Sequence, residues 1–334
     1  MGARPSQIRS AGFKTLGLIV ALGAFAPQSA TTAQQPAKVP RVGVLVRDSP
    51  PADRFLEPFR QGLRDLGYVE GQNIVVEYRW AEGRSDRAAA LAAELVRLKP
   101  DVIVAFTTPA IHAARNATKT IPIVMGAAAD PMGTGFVASL ARPGGNITGM
   151  YLMLPELAGK RLELLREVLP RVTRVAFLAG GPDTAGPLFI QESQVAAQTL
   201  GLQIQPVVVK DPEEFEGAFA AMRRERAGAL VVQPLFTEHR RRIVDLAARS
   251  RLPIVSDYRE FADAGGLMSY GPNAQALYRR AATYVDKILK GAKPADLPVE
   301  QPMRFELAIN MKTAKALGIT FPQTILIRTD QVIQ

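Results

Sequence analysis

DVIVAFTTPAIHAARNATKTIPIVM, running from Asp101 to Met125, is the stretch from which the architecture of the whole chain can be read. Asp101 to Phe106 is a short apolar run of strand length, Pro109 opens a helical segment through His112 and Ala117, and Ile121 to Met125 is a second apolar run. Strand, helix and strand in that order predict a parallel sheet with helices on its faces. Between the first strand and the helix lie Thr107, Thr108 and Pro109, two hydroxyls beside a helix start whose first position is Pro. A helix start presents N–H groups without intrahelical partners, so this segment suits a carboxylate or another oxygen-rich anion, unless Thr108 serves only to cap the helix.

The rhythm extends in both directions. Upstream, Val42 to Val46 is a strand, and Phe55, Phe59, Leu63 and Leu66 recur on one helical face before Gly67 and Gly71 turn the chain. Asn73 to Tyr78 is the next strand and Arg87 to Leu98 an Ala- and Leu-rich helix. Downstream, Arg142, Pro143, Gly144, Gly145 and Asn146 form a dense turn cluster before the apolar strand Ile147 to Leu152, and this cluster marks the first crossing between two domains. The pattern then restarts. Helices at 157–168, 188–200, 212–226 and 238–250 alternate with strands at 172–178, 202–209, 229–233 and 252–256.

The tail departs from this alternation. Gly266 to Gly271 is a short strand, Tyr278, Ala281, Val285 and Ile288 share a helical face, Gly291 to Pro298 is linker-like, and Phe305 to Met311 is a strand followed by the helix Thr313 to Leu317. Such a tail crosses the boundary twice more. The expected organisation is residues 41–146 with 272–292 in one lobe and 147–268 with 299–332 in the other, both α/β, doubly wound parallel-sheet lobes joined by three hinge crossovers.

The 334 residues are 47% hydrophobic and 22% charged, a composition that excludes collagen, coiled coil and bulk disorder and suits two domains. With no Cys, disulfide scaffolds, thiolate catalysis, iron–sulfur clusters, thiolate zinc sites and lipid attachment at an N-terminal cysteine are all removed. His112 and His239 are the only imidazoles, and no metal-binding or cofactor motif accompanies them, so no metal or cofactor is expected. Arg4, Arg9 and Lys14 precede an apolar run from Leu16 to Ala26, and small residues surround Ala30 and Ala33. That is the order of a secretory signal peptide over residues 1–33, cleaved after Ala33 or Ala30; the run is short for an uncleaved anchor. Loss of those three cations takes the net charge from +10 to +7. The excess is dispersed on helix faces beside Glu225, Glu238 and Asp245, which does not describe a nucleic-acid surface.

Ligands of open parallel sheets bind beyond the carboxyl ends of the strands. The candidates there are Arg47, Asp48 and Ser49, then Thr107, Thr108 and Pro109, then Asp130 in the first half. In the second half they are Pro182, Asp183 and Thr184 after Gly180-Gly181, then Pro234 and Phe236, then Asp257 and Tyr258. Asp48, Asp130 and Asp257 can neutralise an amine or bond within their own turns. Phe236, Tyr258 and Tyr270 can stack on an apolar ring, Tyr270 alternatively packing between domains. His112 lies inside a helix, as a core or surface residue. No spacing sets a nucleophile beside a base and an orienting group, which ranks an enzyme low.

The runs GLRDLGYVEGQNIVVEYRWAEG, AAELVRLKPDVIVA, ATKTIPIVM, SLARPGGNITG, REFADAGGLMSYGP and LPVEQPMRFELAINMKTAKALGI carry a further signal. Over essentially the whole chain from about Pro40, the sequence closely resembles the ABC-transporter substrate-binding proteins often labelled as a tryptophan/tyrosine transport component. The resemblance implies a type I periplasmic-binding-protein fold closing on a small ligand, an amino acid or, given Gln233-Pro234-Leu235-Phe236 where amino-acid binders tend to be polar or acidic, an aromatic acid. It implies a partner permease in the membrane with its ATPase; the signal peptide and the absence of Cys predict a periplasmic protein that is not a lipoprotein, and monomer is the default for a protein that must open, close and diffuse to a permease. A sensory binding protein presenting its ligand to a membrane receptor is the alternative, and a repressor effector domain is opposed by the export signal.

Overall fold

The computed structural model describes residues 39–46, 53–82, 84–181 and 185–334. The expected signal peptide, with its cleavage positions, lies outside them.

Five apolar runs of the first half form one parallel sheet. These are Arg41–Val46 (β1), Val75–Trp80 (β2), Val102–Phe106 (β3), Ile123–Ala128 (β4) and Ile147–Tyr151 (β5), in the order β2-β1-β3-β4-β5. Helices Asp53–Asp65 (α1), Ser85–Arg97 (α2) and Thr108–Ala117 (α3) connect the first four strands. Residues alternate between the two faces of each strand: Val42, Val44 and Val46 enter one core cluster while Leu45 enters another, as do Val104 and Phe106 against Ile103 and Ala105. Burying such a side chain fully stabilises the fold by about 1.5–3 kcal/mol relative to leaving it exposed, which is why short aliphatic runs suffice to define the layer.

The second sheet repeats the plan. Arg174–Gly180 (β6), Gln203–Val209 (β7), Ala229–Val232 (β8), Ile254–Ser256 (β9) and Met268–Pro272 (β10) lie in the order β7-β6-β8-β9-β10, the same permutation as the first sheet. Ala158–Val168 (α4), Gly186–Thr199 (α5), Phe215–Arg224 (α6), Arg240–Arg249 (α7) and Arg259–Asp263 (α8) intervene. Phe305–Asn310 (β11) adds antiparallel to β10, and Gln331–Ile333 (β12) adds parallel to β11, for seven strands. Helix Ala274–Leu289 (α9) leaves this sheet and packs on α1 of the first lobe. A Cβ on Gly62 would come within 2.4 Å of the Arg279 carbonyl oxygen, so only glycine permits that helix contact. Asp65 pairs with Arg279 at 2.6 Å, and the Tyr68 hydroxyl donates to Asp286 at 2.9 Å. Met311–Leu317 (α10) and Gln323–Arg328 (α11) lie between β11 and β12.

One expectation is corrected. The strand at 147–151 belongs to the first sheet, where Ile123 pairs with Ile147 and Val124 with Thr148. The turn cluster at 142–146 is therefore internal to the first lobe, and the chain leaves it one strand later. The reason is that β4 reaches β5 through an irregular connection with no helix, so its turns resemble the end of a domain. The three crossovers follow β5, β10 and α9. The third is stitched to the first lobe, because Val299 N–H donates to the Leu140 carbonyl at 2.7 Å and Glu300 N–H to that of Gly149 at 2.9 Å.

Candidate functional site

In both sheets the connections leave in opposite directions from neighbouring strands, β1 and β3 in the first, β6 and β8 in the second, which opens a crevice at their carboxyl ends. The crevices face one another across a cleft of about 960 Å³, counting its open mouth. The first lobe contributes Val46, the segment Phe106 to Pro109, and Ala127 with Ala129; the second contributes Gln233 to Leu235, Tyr258 and Glu260; Leu152 and Leu154 come from the first crossover. The wall is largely apolar, with polar groups concentrated at a few places, the usual constitution of a small-molecule site.

The polar focus of the first lobe is the start of α3. Thr107 has φ 82° and ψ 148°, a backbone region that residues with side chains rarely enter, at a cost of about 1–3 kcal/mol. Its hydroxyl oxygen is buried and has no hydrogen-bond partner. Its carbonyl accepts from Ile111 N–H at 3.0 Å, so the strain sets the first turn of the helix. The Thr108 side chain is buried, and its hydroxyl oxygen accepts from Ala129 N–H at 3.3 Å, which joins the end of β3 to the end of β4. Strand register slips at the same level, between Ala105 and Phe106 and between Met125 and Ala128, so the sheet opens where the cleft begins. An unpaired hydroxyl beside the positive end of a ten-residue helix, in a largely apolar wall, has the chemistry to donate to an anionic oxygen.

Thr107, Thr108, Pro109, Pro234 and Tyr258 are thus brought together. Others are not. Phe236 packs edge-on against Phe215, centroids 5.4 Å apart, in the core beneath the second sheet; its neighbour Leu235 faces the cleft instead. Asp257 is fully buried in an ion pair with Arg161, so the carboxylate expected to meet an amine is already neutralised. Burial pushes that carboxyl well above the ordinary aspartate range, and the guanidinium opposes the rise. Asp130 turns onto its own loop and accepts from Gly133 N–H at 2.8 Å. Tyr270 packs against Phe305 at 6.1 Å. Arg47, Asp48, Ser49, Pro182, Asp183 and Thr184 lie outside the described residues. The two glycines before Pro182 use their amides internally, Gly180 N–H donating to Gln233 Oε1 and Gly181 N–H to the Val209 carbonyl, both at 2.9 Å. His112 lies edge-on to Phe136 at 4.6 Å, and burial keeps its basicity below that of a free imidazole.

Sequence reasoning missed Leu152, Leu154, Phe189 and Tyr278 as cleft residues. The Tyr278 ring meets Phe106 at 4.8 Å, so one residue of α9 both packs the first lobe and lines the cleft. The signal was present in the returning tail: a helix that begins at a crossover starts beside whatever lies between the lobes.

Two doubly wound parallel lobes linked by three crossovers constitute the type I periplasmic-binding-protein fold. The chain is 27% identical over 275 residues to a tyrosine-binding protein of Clostridioides difficile strain R20291, covering 81% of this chain and 79% of that one. Its structure is similar to that of a domain from Streptococcus pneumonia in complex with L-Trp, with a TM-score of 0.82, 29% identity and coverage of 88% and 99%. It is likewise similar to a conserved domain protein of Vibrio cholerae, with a TM-score of 0.84, 28% identity and coverage of 88% and 100%. The family described as ABC transporter substrate binding protein matches residues 41–333. With that match spanning both lobes and all three crossovers, the chain belongs to the ABC transporter substrate binding protein family, a family of solute-binding proteins rather than enzymes.

Proposed function

We propose that this is the exported, periplasmic solute-binding component of an ABC uptake transporter, and that it holds a small carboxylate-bearing ligand, an amino acid or aromatic acid of the tryptophan and tyrosine class, between its lobes. The observation that carries this reading is the buried, unpartnered Thr107 hydroxyl on a strained backbone at the start of α3, in the wall of a largely apolar cleft. A carboxylate there accepts from the Thr107 hydroxyl and the first-turn N–H groups, while the apolar body lies among Leu154, Tyr258 and Tyr278. The relatives that bind tyrosine and L-Trp support the ligand class.

Contact with both rims favours the closed arrangement of the lobes, and a ligand preferring it by about 5.5 kcal/mol converts a 1:99 mixture into 99:1. A monomer in that state docks on a membrane permease, whose partner ATPase supplies the work. The test is calorimetry with L-Trp, L-Tyr, indole-3-propionate and tryptamine. The acids bind and tryptamine does not, and Thr107→Ala/Thr108→Ala loses at least tenfold in affinity, or about 1.4 kcal/mol. Unchanged affinity in that double variant overturns the carboxylate assignment. Scattering curves that superimpose with and without a tightly bound acid overturn closure.

A further inference from the structure

Arg161 and Asp257 are an unusual expense for a structural core. Both side chains are 1% exposed, and they form an ion pair inside the second lobe. Withdrawing two charges from water costs several kcal/mol per ion, and well-packed apolar side chains in their place are often as stable or more so. The Arg161 Nε makes no hydrogen bond, so the guanidinium is not even fully satisfied there. Stability alone does not account for the pair.

Its connections supply another account. Arg161 lies in the first turn of α4, immediately after the first crossover, and its Nη2 donates to the Leu154 carbonyl at 2.8 Å. Leu154 lines the cleft, and its predecessor Met153 holds φ 55°, a left-handed backbone that an unbranched side chain adopts only under constraint. Asp257 begins the loop between β9 and α8, directly before the cleft residue Tyr258. That loop is held from two other sides. Ser256 Oγ donates to the Tyr258 carbonyl at 3.0 Å, and a Cβ on Gly271 would stand 2.1 Å from the Asp257 carbonyl oxygen, so β10 presses directly on it. Glu156 and Tyr270 add their fields to that of Asp257 around the guanidinium.

We infer that Arg161 is a positioning residue for the cleft, joining the crossover at Leu154 to the Asp257–Tyr258 loop of the second lobe so that these two cleft-lining segments keep one fixed spacing. This rests on the proposed binding of an acid between the lobes. Asp257 then anchors the wall and does not touch the ligand.

The test compares Arg161→Met/Asp257→Leu, which removes both charges together, with the wild type. The double variant keeps thermal stability near that of the wild type but binds L-Trp about 5- to 150-fold more weakly, the range of ordinary site-to-site coupling. Wild-type affinity in a stable double variant overturns the inference. Because that variant can fail to fold, Arg161→Lys is followed in parallel by hydrogen exchange without ligand. The lysine keeps a charge beside Asp257 and loses the planar fork that reaches two acceptors at once. Amides of 153–157 and 258–262 exchange faster in it while those of the first sheet do not; unchanged exchange in both segments overturns the inference. If the wild type binds none of the acids, the transport reading fails, and the exchange measurement still decides the role of the pair.

Discussion

Replacing Thr107 with glycine should make the protein more stable and less able to bind. The backbone there, φ 82° and ψ 148°, costs a residue with a side chain about 1–3 kcal/mol, and glycine enters it freely. The buried hydroxyl without a partner adds a desolvation cost of about 1–3 kcal/mol that the substitution removes. Against these stand the extra freedom of glycine in the unfolded chain, about 0.5–1 kcal/mol, and one lost methyl contact of about 0.8 kcal/mol. The net expectation is a gain of about 0.2–4.7 kcal/mol, centred near 2.5, read as an increase in urea midpoint at constant slope. Thr107→Ala isolates the backbone contribution, because it removes the same hydroxyl and keeps the strain. At an ordinary position alanine is the more stable of the two by about 0.5–1 kcal/mol; here the order inverts. If Thr107→Ala proves more stable than Thr107→Gly, the strain argument is wrong, and the case for a preorganised anion receptor loses its main support.

Gly149→Ala should destabilise severely, by about 3 kcal/mol or more, because φ is 135° and the new Cβ would stand 2.3 Å from the Met125 carbonyl oxygen and 2.5 Å from its nitrogen, forcing β5 off β4. Gly67→Ala, at φ 85° with nothing within 4 Å, should cost only about 1 kcal/mol in the same urea titration, and equal losses would show that the close approach is unimportant. The Tyr284 hydroxyl donates to the Pro298 carbonyl at 2.6 Å, and burial with the field of Glu300 lifts its pKa to about 12. Its contribution is complete below pH 10, the value of an unfolded tyrosine, and is lost as pH rises from 10 towards 12, so Tyr284→Phe should flatten the alkaline fall in melting temperature. An unaltered slope would assign that fall to other groups, such as Tyr68, whose pKa burial and the hydrogen bond to Asp286 also raise to about 12. N-terminal sequencing of the exported protein should begin at Gln34 or Thr31, and an intact Met1 in that fraction would contradict cleavage.

How far the sequence alone discloses this fold and its cleft depends on how local each determinant is. Strands such as Val102–Phe106 are buried on both faces and announce themselves as unbroken aliphatic runs. Thr107, Pro234 and Tyr258 were found because strand ends of parallel sheets point into the cleft wherever they fall. Phe236 was misplaced because the chain winds into a 3₁₀ helix over Pro234–His239, which turns Leu235 to the cleft and Phe236 to the core one residue later. Asp257 was misplaced for a different reason. Its partner Arg161 lies in helix α4, far upstream, and nothing in the local sequence of either residue announces the other. The short elements α8, α11 and β12 left no periodic signal of their own, since five, six and three residues are too few to show one.

The two rims keep their shape by opposite physics, and this decides how each should respond to mutation. In the first lobe, Thr107 holds an unfavourable backbone and a buried hydroxyl without a protein partner, which under the proposed binding a ligand acceptor would satisfy. Binding and stability compete there, as they do wherever strain is stored at a site. In the second lobe, Arg161, Asp257, Ser256 and the close approach at Gly271 satisfy or brace one another within the protein. Substitutions that remove one partner of the pair alone, such as Asp257→Ala, should lower stability and affinity together, whereas substitutions at Thr107 should move them in opposite directions. A scan that found one common sign for both rims would show that the cleft is not divided in this way. It would also remove the reason for assigning ligand recognition to the start of α3 and support of the wall to the buried pair.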